Sequence, residues 1–132
     1  MTELQTHLMI ISYYTLYSIV KDDGIAMQLS SELMDGLVLA LLDKDNLYGY
    51  ALTKQVQAHF AVSESTMYPV LRRLKARGLV TTYDEPFEGR NRRYYQISAQ
   101  GRAELATIQA DWQMFSAQIN AVITEGVNAD GE

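Results

Sequence analysis

The chain has 132 residues, 48% of them apolar, two prolines, no cysteine and a formal net charge of −5. That length suits one compact domain with an appendage, and the missing cysteines exclude disulfides, a thiolate nucleophile and any cysteine-based zinc site. His7 and His59 fall in no metal-ligand spacing, and neither a Ser-His-Asp set nor a phosphate-cradling glycine loop is present, so neither an enzyme nor a cofactor is expected.

The first 26 residues stand apart. LMIISYYTLYSIV, residues 8–20, is apolar and β-branched but shorter than the roughly 20 residues that span a bilayer. The preceding MTELQTH lacks the Lys or Arg of a secretory signal. Residues 1–26 are therefore read as an N-terminal extension or leader, with Met27 as the start of the folded module. Packing of this segment on the domain or on a partner is the other reading.

SSELMDGLVLALL, residues 30–42, is apolar almost all round, as a short buried helix requires, and Gly36 allows a close neighbour. DKDN (43–46) reads as a polar turn. A second helix, about Gly49 to Phe60, puts Leu52, Val56 and Phe60 on one stripe, with Tyr48 and Tyr50 packing beside its entry.

AVSES opens a third helix, and Pro69 helps to choose its cap. Proline has no N–H to donate and crowds the carbonyl four residues back, so it belongs in a first turn. That favours a cap at Ser65 or Thr66. Met67, Val70, Leu71 and Leu74 form the inward stripe; Ser65, Tyr68, Pro69, Arg72 and Ala76 lie opposite, with Arg73 and Lys75 on the flanks. Gly78 follows as a helix stop. LVTTYD (79–84) and RRYYQI (92–97) are strands, joined through EPFEGRN (85–91) as a long hairpin tip. Three helices and a basic hairpin over 27–98 make a winged helix-turn-helix, mainly α with a small β-hairpin (α+β).

Ser98 caps a last helix from about Ala99 to Thr124, about 39 Å long. Leu105, Ile108, Trp112, Phe115, Ile119 and Val122 recur with the 3.5-residue period of a coiled coil. A lone helix cannot hide Trp112 and Phe115 from water. Residues 99–125 are accordingly a dimerisation helix, with Ile108, Trp112, Phe115, Ile119 and Val122 at the interface and 126–132 as a frayed tail. By spacing, Trp112 is more readily a seam residue than the wall of an aromatic pocket.

The charge is unevenly spread. Residues 54–102 hold nine of the eleven Lys and Arg against four acids, a net +5, and the rest of the chain carries −10. This is a basic working face on an acidic body. For double-stranded DNA, the third helix would enter the major groove. Ser65, Thr66 and Tyr68 would offer hydroxyls, Arg72 and Arg73 charge, and Arg90 and Arg92 would reach the minor groove or backbone from the hairpin. Lys54 would touch phosphate. Charge runs are more often mere solvated faces, but here cap, proline, basic face, glycine stop and basic hairpin follow in order. The alternative is a winged-helix protein-interaction module without DNA binding.

LYGYALTKQV, SESTMYPVLRRLKARGLV, GRNRRYYQISAQGRAEL and the helix bearing ADWQMF closely resemble the PadR family of bacterial transcriptional regulators, over about Ser30 to Ile123. The resemblance implies a cytoplasmic homodimer of winged helices that represses from a roughly palindromic operator and is usually released by a small molecule. Its DNA contacts map to Ser65, Thr66, Tyr68, Arg72 and Arg73, with Arg90 and Arg92 on the wing. The single C-terminal helix resembles the short, multidrug-sensing branch, in which a tryptophan matching Trp112 stacks planar aromatic drugs. Leu105, Gln109 and Ser116 are its neighbours there, and Met34 and Leu37 would close the pocket. Gln109 departs from the aromatic found at its position in that branch, and residues 1–26 have no counterpart.

Overall fold

The computed structural model describes residues 2–8 and 28–124. Residues 3–8 are helical and exposed. The rest of the expected extension, Met27 as the module's start and the tail after Thr124 lie outside the described residues. Counted from Ser31, the elements are α1 (Ser31–Lys44), β1 (Leu47–Tyr48), α2 (Gly49–Gln57), α3 (Glu64–Ala76), β2 (Val80–Phe87), β3 (Arg90–Ile97) and α4 (Ala99–Ile123).

The central helix is α1, which packs against α2, α3, α4 and β3. Ser30 caps it by accepting from the Leu33 N–H at 3.1 Å. Met34, Val38, Leu39 and Leu42 are buried and join Leu52, Met67, Leu71 and Leu74 in one core. The close neighbour expected at Gly36 is α4: a Cβ there would stand 2.7 Å from Ile108 Cγ2.

Two helix ends differ from expectation. α2 stops at Gln57, because the Gln57 side chain donates to the Val62 carbonyl at 2.8 Å and holds the chain in a turn. α3 starts earlier than expected, with Ser63 rather than Ser65 or Thr66 as its cap. Ser63 Oγ accepts from the Thr66 N–H and lies 2.9 Å from the hydroxyls of both Ser65 and Thr66. Pro69 then falls in the second turn, but the one acceptor it strands is the carbonyl of exposed Ser65, which water can satisfy. The inward stripe is as expected: Met67, Val70, Leu71 and Leu74 are all buried. At the far end, Gly78 takes φ 74°. Leu79 N–H donates to the Leu74 carbonyl and Gly78 N–H to the Lys75 carbonyl, the paired bonds of a Schellman stop.

The wing is tighter than expected. Its strands run to a two-residue turn, Glu88-Gly89, with φ of 50° and 78°, the doubly positive pattern of a type I′ hairpin. Most of the expected tip is therefore paired, as Glu85 with Arg92, Pro86 with Asn91 and Phe87 with Arg90. Pro86 is tolerated because β2 is an edge strand. β1 adds an unanticipated third strand, pairing Leu47 with Tyr95 and Tyr48 with Tyr94 in the order β1-β3-β2.

α4 begins on a crowded corner. Ser98 Oγ donates to the Gly78 carbonyl at 2.7 Å and accepts from Gly101 N–H at 3.0 Å. A Cβ on Gly101 would lie 2.1 Å from the Leu79 carbonyl oxygen and 2.7 Å from Ile97 Cγ1. Replacing a helical glycine by alanine ordinarily gains about 1 kcal/mol. Here the clash reverses the sign, and Gly101→Ala is expected to lose about 2–3 kcal/mol in urea unfolding.

Candidate nucleic-acid interface

The four cations of α3 and its cap divide into two pairs. Arg73 and Arg77, one helical turn apart, both bind Asp35 on α1: Arg73 Nη2 donates to Oδ1, and Arg77 Nη1 to Oδ2 at 3.4 Å. Arg77 Nη2 also lies 3.5 Å from Glu104 Oε1 on α4. Arg73, expected to supply charge to DNA, is held against α1 by Asp35 at the protein surface, with its side chain 38% exposed. Arg72 and Lys75 are exposed and have no ion-pair partner among the described residues. They share a stripe with exposed Ser65 and Tyr68, at the spacing that keeps side chains on one helix face.

This stripe adjoins the wing. The Tyr95 phenol, on β3, is pushed up from its ordinary pKa by burial; Arg93 lowers it, Tyr68 raises it and Arg72 lowers it. Arg93 is tied to Asp84 by a hydrogen bond of 3.3 Å, and Arg90 beside the turn is exposed, with no ion-pair partner among the described residues.

The opposite face of the wing carries an alternation of rings and cations. The Arg92 guanidinium lies 3.5 Å from the Phe87 ring centroid and 4.1 Å from that of Tyr48. Tyr48 stacks on Tyr50, whose ring lies 5.3 Å from Lys54 Nζ. Tyr94 meets Tyr48 edge-on and stacks on Tyr83 at 5.4 Å. Arg92, expected to reach DNA, is clamped between rings and fastens the wing to β1. Lys54 is exposed. The Ser65 and Thr66 hydroxyls sit at the N-terminus of α3, around Ser63. The contributions missed in the sequence were Asp35, the buried acid of α1, and the Tyr48–Arg92–Phe87 clamp, visible only once β1 is paired.

α4 is divided in its surroundings. Leu105, Ile108 and Met34 are buried in this chain's own core, and of the three only Ile108 lines the cleft beside Trp112. Trp112 and Phe115 are about half exposed, at 47% and 55%, with ring centroids 6.4 Å apart; Ile119 and Val122 beyond them are exposed too. A cleft of about 470 Å³ opens beside Trp112, lined by Ser30, Glu32, Leu33, Ile108, Asp111 and Phe115 among others. Leu33 takes the place expected for Met34 and Leu37, while Gln109 is exposed, Ser116 is half-buried, and neither lines it. Among the described residues, no His, Asp or Glu cluster is placed to hold a metal ion, and no helix is long and apolar enough to cross a membrane.

Comparison with known proteins points the same way. Residues 38–107 match the model of the Transcriptional regulator PadR-like family. A transcriptional regulator of Mycobacterium tuberculosis is 39% identical over 62 residues, 46% of this chain and 58% of that protein. A crystal structure of a PadR-like transcriptional regulator from Bacillus cereus superposes with a TM-score of 0.65 at 27% identity, covering 70% of this chain and 92% of that one. A Streptococcus mutans structure gives 0.69 at 29% identity, covering 74% and 92%.

The ring clamp has a direct test. Arg92→Lys keeps the charge but loses the planar group that stacks, which is worth about 0.5–1 kcal/mol at an exposed ring. Amide hydrogen exchange near Phe87 and Arg90 is expected to quicken several-fold, about the factor such an energy implies, while exchange in α1 and α3 stays as it was.

Proposed function

This chain belongs to the PadR-like family of transcriptional regulators, and from that membership we propose that it acts as a homodimeric, cytoplasmic repressor of a roughly palindromic operator. The observation that carries the reading is the outward stripe of α3, where Ser65, Tyr68, Arg72 and Lys75 stand side by side with both cations unpaired among the described residues. Inserted in a major groove, this stripe presents hydroxyls and a guanidinium to base edges and phosphates. Thr66 adds a hydroxyl from the first turn, Arg90 reaches the flanking backbone from the wing, and Lys54 meets phosphate beside α2. Arg92 contributes to the wing's field while fixing its position.

Dimerisation follows from the distal half of α4. Trp112, Phe115, Ile119 and Val122 form an apolar stripe that this chain leaves uncovered among the described residues. Pairing with the same stripe of a second copy covers it and sets two recognition helices at a fixed separation. Ile108, buried in its own subunit, anchors the base of the seam rather than belonging to it.

The test is operator binding as a function of salt, with the operator obtained by selection from random duplex DNA. Lys54, Arg72, Lys75 and Arg90 on each of two subunits make eight phosphate contacts, so log K against log salt is expected to fall with a slope of about −7. Arg72→Ala is expected to make that slope shallower by about 2 per dimer. A wild-type slope near zero would favour the protein-interaction module instead.

A ligand-responsive reading rests on the cleft beside Trp112. An aromatic wall with Glu32 and Asp111 at its margin suits a planar aromatic effector, and a cationic one best. Trp112 is the chain's single tryptophan, so its emission reports directly on the site. Planar aromatic cations are expected to quench it in a saturable manner and to weaken operator binding over the same concentrations. A broad panel that leaves the emission unchanged would remove the effector.

A further inference from the structure

Asp35 is the one acidic side chain in the buried core of the described residues, 4% exposed among Met34, Val38 and Leu39. Both of its oxygens are occupied, one by Arg73 and the other by Arg77. A buried ion cluster of this kind is seldom more stabilising than apolar residues of similar volume, because desolvation offsets the Coulomb attraction. Stability alone therefore does not account for a carboxylate at this position.

Its geometry suggests another use. Arg73 and Arg77 lie at an i, i+4 spacing on the α1-facing side of α3, about 100° and 140° around the helix from Arg72. Their side chains are still 38% and 45% exposed, so they are held at the protein surface rather than entombed. Each has the length to swing toward a bound duplex if released. Affinity for DNA of any sequence grows with each cation that reaches a phosphate, whereas discrimination depends on the few groups aimed at base edges.

We propose that Asp35 is a specificity-determining residue that withholds Arg73 and Arg77 from DNA, leaving Arg72 and Lys75 as the working cations of α3. Glu104 assists from α4 by holding the second amine of Arg77. The inference rests on the DNA-binding reading above and adds to it which cations are kept out of the contact and by what. A purely structural Asp35 would make every kind of binding weaker when lost. A withholding Asp35 makes indiscriminate binding stronger.

The experiment uses the full chain, a selected operator duplex and a mixed-sequence duplex of the same length, each titrated against salt. Folded Asp35→Asn, checked by circular dichroism, is expected to bind the mixed duplex about fivefold more tightly, with a slope steeper by about 2–4 per dimer as two to four phosphates are added. The ratio of operator to mixed-sequence affinity is expected to narrow. Adding Arg73→Gln and Arg77→Gln to Asp35→Asn is expected to return the slope to that of the wild type. Should Asp35→Asn not fold, the single change Arg73→Gln decides: it is expected to leave the wild-type slope unaltered, whereas Arg72→Gln makes it shallower. An unaltered or shallower slope for folded Asp35→Asn, or a shallower one for Arg73→Gln, overturns the inference and leaves the regulator reading standing. Absence of wild-type binding to either duplex at every salt concentration overturns the regulator reading, and this inference with it.

Discussion

The geometry of the molecule turns on a backbone approach that admits no side chain. The first turn of α4 passes under the Leu79 carbonyl so closely that a Cβ at Gly101 would stand 2.1 Å from its oxygen. The same carbonyl accepts from Ser98 N–H, and Ser98 Oγ reaches the Gly78 carbonyl. Leu79 in turn closes α3 by donating to Leu74. The end of α3, the residue that leads into β2 and the first turn of α4 therefore share one set of hydrogen bonds. The boundary expected at Ser98 is mechanically a weld and not a hinge.

A second close approach fixes α4 further along. Ile108 sits against the face of α1 that Gly36 leaves bare, and the two contacts define the line on which α4 leaves the domain. In a regulator that reads two half-sites, the separation of the recognition helices follows from that line. Just past the end of α3, Arg77 ties the same elements together by bridging Asp35 on α1 and Glu104 on α4.

Much of this was legible in the sequence, and the misreadings share a cause. The inward stripe of α3, the Gly78 stop, the Ser98 cap and the neighbour at Gly36 all followed from local rules of period, capping and size. Pro69 misdirected the cap, since a rule about a single residue was set against a serine cluster in which three hydroxyls cooperate. Pro86 made the wing tip look open; on an edge strand it interrupts nothing. β1 is two residues long and has no period to detect. The partnership of Arg73 with Asp35 spans 38 positions, and a helical wheel can place a cation on a flank without saying what the flank meets. The heptad rhythm of α4 was real but uniform, so it could not reveal that Leu105 and Ile108 serve the chain's own core while Trp112 and Phe115 face outward.

An acidic protein that binds DNA faces a problem of allocation as much as of attraction. Cations gathered on one surface draw in any duplex, and the surplus attraction is the same for every sequence. Two features of this chain bear on that surplus without removing the residues. Arg92 keeps its charge but is immobilised between Tyr48 and Phe87, so it shapes the wing while its own reach is curtailed. Arg73 and Arg77 share the buried carboxylate of Asp35, and Glu104 supplies Arg77 with a second acid. What is left outward on α3 is a guanidinium, an ammonium and the hydroxyls of Ser65 and Tyr68, groups whose hydrogen bonds depend on which base they meet. Four cations within six residues are thus poorly described as a basic patch: Arg73 and Arg77 brace α3 against α1, while Arg72 and Lys75 face outward.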